Sequence, residues 1–265
     1  MRPSPISTAQ MQHFAPINWI LLGALVAILL SYIALLTLDP ATAQQLGRED
    51  APIENLGAAF SLIASCLFLL CYFRSAGNAN RFLGRPTQRN VWFLALAVLM
   101  FINFGEGISW RQRIMGWETP VSIAELNAQG ETNFHDFWLF VPKNPDGTPK
   151  TGLQLLLNAN RLQSIFWLAF CIVLPLLAMS SKRVVRLSEF LGVPIPSLAV
   201  GALFVMNYLV FSLIVALGEI DRRTLSSFDE LKETNYEFAF MVLALSFLSW
   251  LLAVSRRGRQ RLGSR

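Results

Sequence analysis

The sequence predicts an all-α fold, a polytopic integral membrane helix bundle with about six transmembrane helices. Three observations lead there. Of the 265 residues, 54% are hydrophobic and 15% charged, with a mean hydropathy of +0.46, too apolar for an ordinary soluble domain of this size. Six runs of roughly 20 residues are almost free of charge, the length at which a helix rising ~1.5 Å per residue crosses a hydrocarbon core ~30 Å thick. The basic residues gather in alternate connections between those runs.

The spans read as 17–38, 56–73, 91–110, 162–181, 198–217 and 238–255. The first two carry no charge. The third holds Glu106 near its C-terminal end, and the fourth contains Pro175. Lipid offers no partner to backbone N–H and C=O groups, and the segments are too long and uniformly apolar for barrel strands, so each is expected to be helical. Residues 1–16 then form a cytoplasmic N-terminal segment, 17–255 a six-span membrane domain, 111–161 its long outer loop and 256–265 a basic cytoplasmic tail.

Charge sets the expected orientation. With both termini in the cytoplasm, 13 of the 22 Lys and Arg residues fall inside, while 16 of the 17 acids fall outside, Glu189 being the exception. The net charge of +5 is thus a topology signal, and a nucleic-acid role is excluded as its explanation. This pattern leads to the expectation of a cell inner (plasma) membrane location with both termini cytoplasmic. Ala41, Thr42 and Ala43 resemble a signal-peptidase site, but the apolar run before them exceeds the ~7–15 residues of a signal peptide and follows a single Arg, so the first helix is read as retained. Cys66, Cys71 and Cys171 all fall inside spans and are read as packing residues.

The outer loop carries helix punctuation. Thr119 and Pro120 mark a start and Gly130 a stop. A second short interfacial helix is expected over 132–140, with Phe134, Phe137, Trp138 and Val141 toward the membrane and Glu131 and His135 on another side. A last helix is expected to start at Ser226 or Ser227 and to run directly into span six.

The groups that can carry chemistry cluster near this loop. Asn103, Glu106, Trp110, Arg113 and Trp117 recur at intervals of three and four, so they predict one polar face leaving the bilayer. An acid inside a span is costly and normally faces a bundle interior or a wet cavity, which makes Glu106 the first candidate. Glu230, Glu233 and Glu237 form a second stripe, and three carboxylates on one face need an answering positive charge from Arg111, Arg113, Arg222, Arg223 or a bound cation. Glu106, Glu131 and His135 are the expected acid, base or ligand residues, with Asn103, Trp110, Arg111, Arg113 and Glu237 as substrate-binding groups. His13 and His135 fall on opposite sides, so a His-rich zinc site is excluded. Glu131 and His135, completed by Glu106 or Glu237, would suit a divalent cation such as Mg²⁺, Ca²⁺ or Mn²⁺, the one cofactor the pattern admits. Asn207, in mid-span, is expected to hydrogen-bond between helices.

The stretch Glu106-Gly107-Ile108-Ser109-Trp110-Arg111-Gln112-Arg113, followed by Asn127-Ala128-Gln129-Gly130-Glu131-Thr132-Asn133-Phe134-His135, resembles a group of bacterial multi-pass membrane proteins. Their signature is Glu-x-Ile-Ser-Trp-x-Gln-Arg with Asn-x-Gln-x-Glu-x-Asn-x-His. Gly107 stands where that group has a second Glu and Arg111 where it has Gly. The resemblance implies a site location and no activity. Glu106 and Arg111 also keep the outer spacing of the first motif of glutamate-dependent intramembrane proteases, although Gly107 breaks its acidic pair. The sequence therefore leads to an outward-facing site for a lipid, a lipid-linked or another amphipathic substrate. A non-catalytic accessory or scaffold subunit, or a small carrier working with an oligomeric or other partner, is the alternative.

Overall fold

The computed structural model describes residues 15–48, 51–78, 80–111, 116–218 and 220–263. Within them the long helices are α1 (Ala15–Thr37), α3 (Pro52–Arg74), α4 (Val91–Gly107), α6 (Ala159–Ser180), α8 (Leu198–Leu217) and α9 (Arg222–Gly263). Short helices α2 (Pro40–Leu46), α5 (Val121–Ala124) and α7 (Lys182–Leu191) join them. All of the long helices except α4 are long and apolar enough to cross a membrane, and α4 is apolar but 17 residues long. This is an all-α membrane bundle. Its exposed surface agrees: Leu22, Leu30, Leu69, Phe101, Leu176 and Leu213 all lie open on the outside of their helices, where lipid tails replace water.

The core follows α9. Phe228, Tyr236, Phe240, Leu243 and Phe247 along that helix are buried, and α3, α8 and α1 pack around them. Lipid gives helices little hydrophobic reason to associate, so close approach through small residues matters. The buried face of α3 supplies it with Gly57, Ala58, Ser61, Ala64 and Ser65, and Ser65 also donates to the Ala97 carbonyl of α4 at 2.8 Å. Across the bundle, the Tyr32 hydroxyl donates to Asn207 Oδ1 at 2.8 Å, and Asn207 Nδ2 donates to the Lys232 carbonyl at 2.8 Å. The mid-span Asn207 thus joins α1, α8 and α9, as its position in the sequence anticipates.

Several boundaries differ from expectation. α9 starts at Arg222 rather than at Ser226 or Ser227, because the Asp221 carboxylate accepts from the backbone N–H groups of Arg223 and Thr224. It also continues through the expected basic tail to Gly263. In place of two loop helices there is the single turn of α5, and 132–140 is a series of turns. Asn127 is the cause: its Oδ1 accepts from the N–H groups of Gln129 and Glu131, and its Nδ2 donates to the Asn133 carbonyl, so the local backbone bonds to a side chain instead of to a helix. Within α6 a π-helical turn covers Leu168–Val173, with the Leu174 N–H reaching back to the Ala169 carbonyl, just before Pro175. Cys71 and Cys171 are core residues, whereas Cys66 is exposed on the outside of α3. Ala43 of the peptidase-like triplet is buried inside α2, which Asp39 caps.

The end of the bundle opposite Glu106 carries an unforeseen assembly. Arg81–Phe82 and Arg85–Pro86 form strands β1 and β2 of a small antiparallel hairpin against α7. Gly192 ends α7 in the left-handed region at φ +76°, where an added Cβ would meet the Arg81 carbonyl, so glycine is required. Trp92 Nε1 then donates to the Leu191 carbonyl at 2.8 Å.

The Tyr32 and Asn207 pair yields a stability prediction. Asn207→Ala should destabilise the protein by about 1–3 kcal/mol, because it orphans a buried hydroxyl. Adding Tyr32→Phe should cost less than Tyr32→Phe alone, with a coupling of about 0.6–1.7 kcal/mol. Reversible unfolding in mixed micelles measures both, and additive losses would contradict the pairing.

Candidate functional site

The site begins where α4 stops. Gly107 packs on Ala58 of α3, and the chain then turns through Ser109 and Trp110, both with positive φ, at 47° and 49°. Two adjacent non-glycine residues in the left-handed region cost on the order of 1–3 kcal/mol each. Part of that cost is offset at once. The turn folds the Trp110 ring back over Gly105, where an added Cβ would lie 2.8 Å from the ring, and Trp110 Nε1 donates to Glu106 Oε1 at 2.6 Å.

The second Glu106 oxygen holds the loop. Glu106 Oε2 accepts from the His135 backbone N–H at 2.9 Å and faces the His135 Nδ1 at 2.9 Å, and the Glu106 side chain is only 12% exposed. The other imidazole nitrogen, Nε2, lies 3.3 Å from Asp136 Oδ2. His135 is therefore flanked by a carboxylate on each side while its ring stays about half exposed. Its pKa reflects a contest. Burial lowers it, but the Glu106 hydrogen bond and the charges of Asp136, Glu106 and Glu233 together raise it above the ordinary histidine value.

Below this dyad, Asn103 Nδ2 donates to Ser61 Oγ and to Glu237 Oε1, both at 2.9 Å, so one amide joins α4 to α3 and α9. Gly57 makes room for it, since a Cβ there would strike the Glu237 carboxylate. Asn160 Nδ2, at the start of α6, donates to Glu233 Oε1 at 3.0 Å. Between these groups lies a cavity of about 500 Å³. Its polar lining includes Glu106, His135, Asp136, Glu230, Glu233 and Glu237, and its apolar lining Leu99, Leu162, Phe166 and Phe240.

The structure brings together Asn103, Glu106, His135 and Glu237, as the sequence suggests, and adds Trp110 at the end of α4 by chain reversal. The single helical stripe is overturned at its outer half: α4 ends at Gly107, and Trp117 is 63% exposed. Arg113 lies outside the described residues, as do the Arg111 side chain and His13. Glu131 does not line the cavity. It accepts from Asn133 Nδ2 at 3.2 Å, and with no helix over 132–140 its expected pairing with His135 along one helical face is lost. Arg222 and Arg223 are exposed and do not reach the Glu230, Glu233 and Glu237 stripe as lining residues. Among the described residues, no three His, Cys, Asp or Glu side chains converge as metal ligands, so the expected divalent-cation set is not assembled there.

Sequence reasoning missed Glu54, Asn133, Asp136, Asn160 and Gln163, all of which line the cavity. Asn133 lay within the 127–135 stretch that the sequence singled out, and Glu54 sits three residues before Gly57 on the face of α3 that meets α9. Asn160 and Gln163 gave no such signal, because only packing reveals which side of α6 faces inward. No family model, no curated protein and no solved structure matches the chain.

The direction of the His135 shift sets a pH test. A raised folded value means that the charged pair is fully present below the ordinary histidine pKa of ~6.5 and is lost as pH rises through the higher folded value. NMR titration of the imidazole, assigned with His135→Gln, should give a midpoint above ~6.5 that falls in Glu106→Gln. A midpoint unaffected by Glu106→Gln would disprove the contact.

Proposed function

We propose that this chain is a multi-pass protein of a bacterial inner membrane, with both termini cytoplasmic and the Glu106 end outward. There it acts on or binds a lipid, lipid-linked or other amphipathic substrate at the outer-leaflet interface. The observation that carries this reading is the mixed lining of the cavity, which combines carboxylates and an imidazole with Leu99, Leu162, Phe166 and Phe240. A cavity of ~300–1,000 Å³ with few convergent polar groups is the usual form of a small-molecule site. A polar headgroup would meet Glu106 and His135, while the tail would lie along the apolar lining.

In this reading Glu106 and His135 share the proton work. With the His135 Nδ1 and Glu106 Oε2 2.9 Å apart, a proton taken from substrate by one can be held by the other, and Asp136 steadies the charged ring from its far side. Trp110 fixes the remaining Glu106 oxygen, so the carboxylate presents a constant direction. Arg111 and Arg113 remain the anion clamp that the sequence suggests.

One observation favours the non-catalytic alternative, a scaffold or accessory subunit or a small carrier. Asn103 spends both of its amide donors on joining α3, α4 and α9. The two readings part on a single comparison. Native mass spectrometry of the purified protein should show a retained amphipathic ligand that is lost in Ala159→Trp, which fills the cavity. Glu106→Gln should remain folded and assembled while losing or altering that ligand. Retention of the same ligand in Ala159→Trp would refute the cavity as its site, and collapse of Glu106→Gln would favour the scaffold.

A further inference from the structure

The end of the bundle away from the cavity is strongly basic. Between Arg74, where α3 ends, and Val91, where α4 begins, the chain carries four arginines and no acid. Between Ser180 and Leu198 it carries Lys182, Arg183 and Arg186 against one acid, Glu189. A single carboxylate leaves this end with a large positive excess. Arg89 is taken up within the fold, its guanidinium 4.9 Å from the centre of the Phe73 ring and 5.2 Å from that of Tyr72. Arg74, Arg81, Arg85, Lys182, Arg183 and Arg186 are exposed.

These cations stand on a built surface rather than on loose connections. The Gly84 N–H donates to the Phe190 carbonyl at 2.7 Å, Asn90 Nδ2 to the Gly192 carbonyl at 2.9 Å, and the buried Ser188 hydroxyl to the Val193 carbonyl at 2.7 Å. The hairpin is thereby fixed to α7, and α7 to the start of α4. The spans set its level: α6 ends at Ser180 and α7 starts at Lys182, so α7 stays at the boundary where hydrocarbon gives way to headgroups.

Exposed apolar side chains adjoin the cations. Leu187 and Phe190 lie three apart on one exposed face of α7, with Arg183 four residues before Leu187. The Phe190 ring rests against the hairpin turn, where a Cβ on Gly84 would lie 2.6 Å from it, so the apolar groups of helix and hairpin meet. Leu83 at the tip is 53% exposed with φ +51°, followed by Gly84 at +76°. A two-residue hairpin turn with both φ values positive favours Asn-Gly, and a leucine at its first position is costly. Burial within the chain does not offset that cost, whereas contact with acyl chains would.

From these features we propose that the hairpin and α7 form a platform for anionic phospholipid headgroups. The arginine and lysine side chains take the phosphates, and Leu83, Leu187 and Phe190 lie on the first segments of the acyl chains. Cations beside leucine and phenylalanine, on elements tied to span ends, are the composition that holds an anionic membrane surface. The guanidinium fork of arginine matches two phosphate oxygens at once. The proposal is independent of what the cavity at the other end takes, since none of these residues lines it.

Native mass spectrometry of the full-length protein in maltoside micelles, with phosphatidylglycerol and phosphatidylcholine added at equal concentration, tests it. Phosphatidylglycerol should be retained at least about tenfold more tightly. Arg81→Gln with Arg85→Gln, and separately Arg183→Gln with Arg186→Gln, should each weaken phosphatidylglycerol by about tenfold while leaving phosphatidylcholine unchanged. Arg222→Gln with Arg223→Gln, at the opposite end, should change neither lipid. Leu83→Asn restores the favoured Asn-Gly turn, so thermal stability should not fall, yet phosphatidylglycerol should be held about fivefold less tightly. Equal retention of the two lipids, or undiminished phosphatidylglycerol in both the hairpin and the α7 variants, overturns the proposal. An equal loss in the Arg222 and Arg223 variant overturns its assignment to this end, and full retention by Leu83→Asn overturns the acyl-chain contact.

Discussion

The close approach of α3 to α4 and α9 is the constraint from which the site follows. In lipid, apolar side chains gain little by leaving one hydrocarbon surface for another, so association depends on shape and on polar contacts. Gly57, Ala58, Ser61 and Ala64 keep the face of α3 thin, and the space they leave is used by polar groups rather than filled by carbon. Gly57 accommodates the Glu237 carboxylate, Ser61 receives Asn103, and Ala58 receives Gly107. A larger side chain at any of these positions would push α4 or Glu237 outward and separate the carboxylate wall from the loop above it.

The loop is held by charge and by hydrogen bonds to backbone, not by a core of its own. Glu106 anchors it from below through the His135 N–H and ring. Asn127 closes the turn around Asn133, and the Ala128 N–H donates to the Asp136 carbonyl at 2.7 Å. The buried Lys150 ammonium donates to the Trp138 and Leu139 carbonyls farther along. A segment with so few helical bonds would be loose without these side chains. Its order and the geometry of the candidate site therefore depend on the same residues: Glu106 positions the loop that brings its own hydrogen-bond partner, His135. The strained turn at Ser109 and Trp110 belongs to the same arrangement, since it lets Trp110 hold one Glu106 oxygen while the loop takes the other.

The extent of sequence legibility varied with the kind of residue. Hydrophobic length located the long helices to within a few residues for α1, α4, α6 and α8, because a spanning segment must satisfy its own backbone wherever it sits. Glu106 stood out for the same reason, as an acid where acids are costly. The end of α4 was misjudged because spacings of three and four continue through Trp110 and Arg113, while the chain leaves the helix after Gly107. The helix expected over 132–140 failed because Asn127 offers the backbone partners that a helix would otherwise supply, and a side-chain competitor several residues upstream is invisible to periodicity. Glu54, Asn160 and Gln163 could not be assigned to the site from local pattern, since each is an ordinary polar residue near a helix start.

What the sequence by itself determined is the solvent and the architecture. Long uncharged runs select lipid and helices through backbone hydrogen bonding alone, and that requirement is local to each segment. What only the tertiary structure decided is which polar residues meet. The convergence of α3, α4, α9, the start of α6 and the 125–140 loop on one cavity depends on helix rotation and on small-residue contacts between segments as far apart as Gly57 and Glu237. The free energies that set those rotations arise between helices, and no single stretch of sequence contains them.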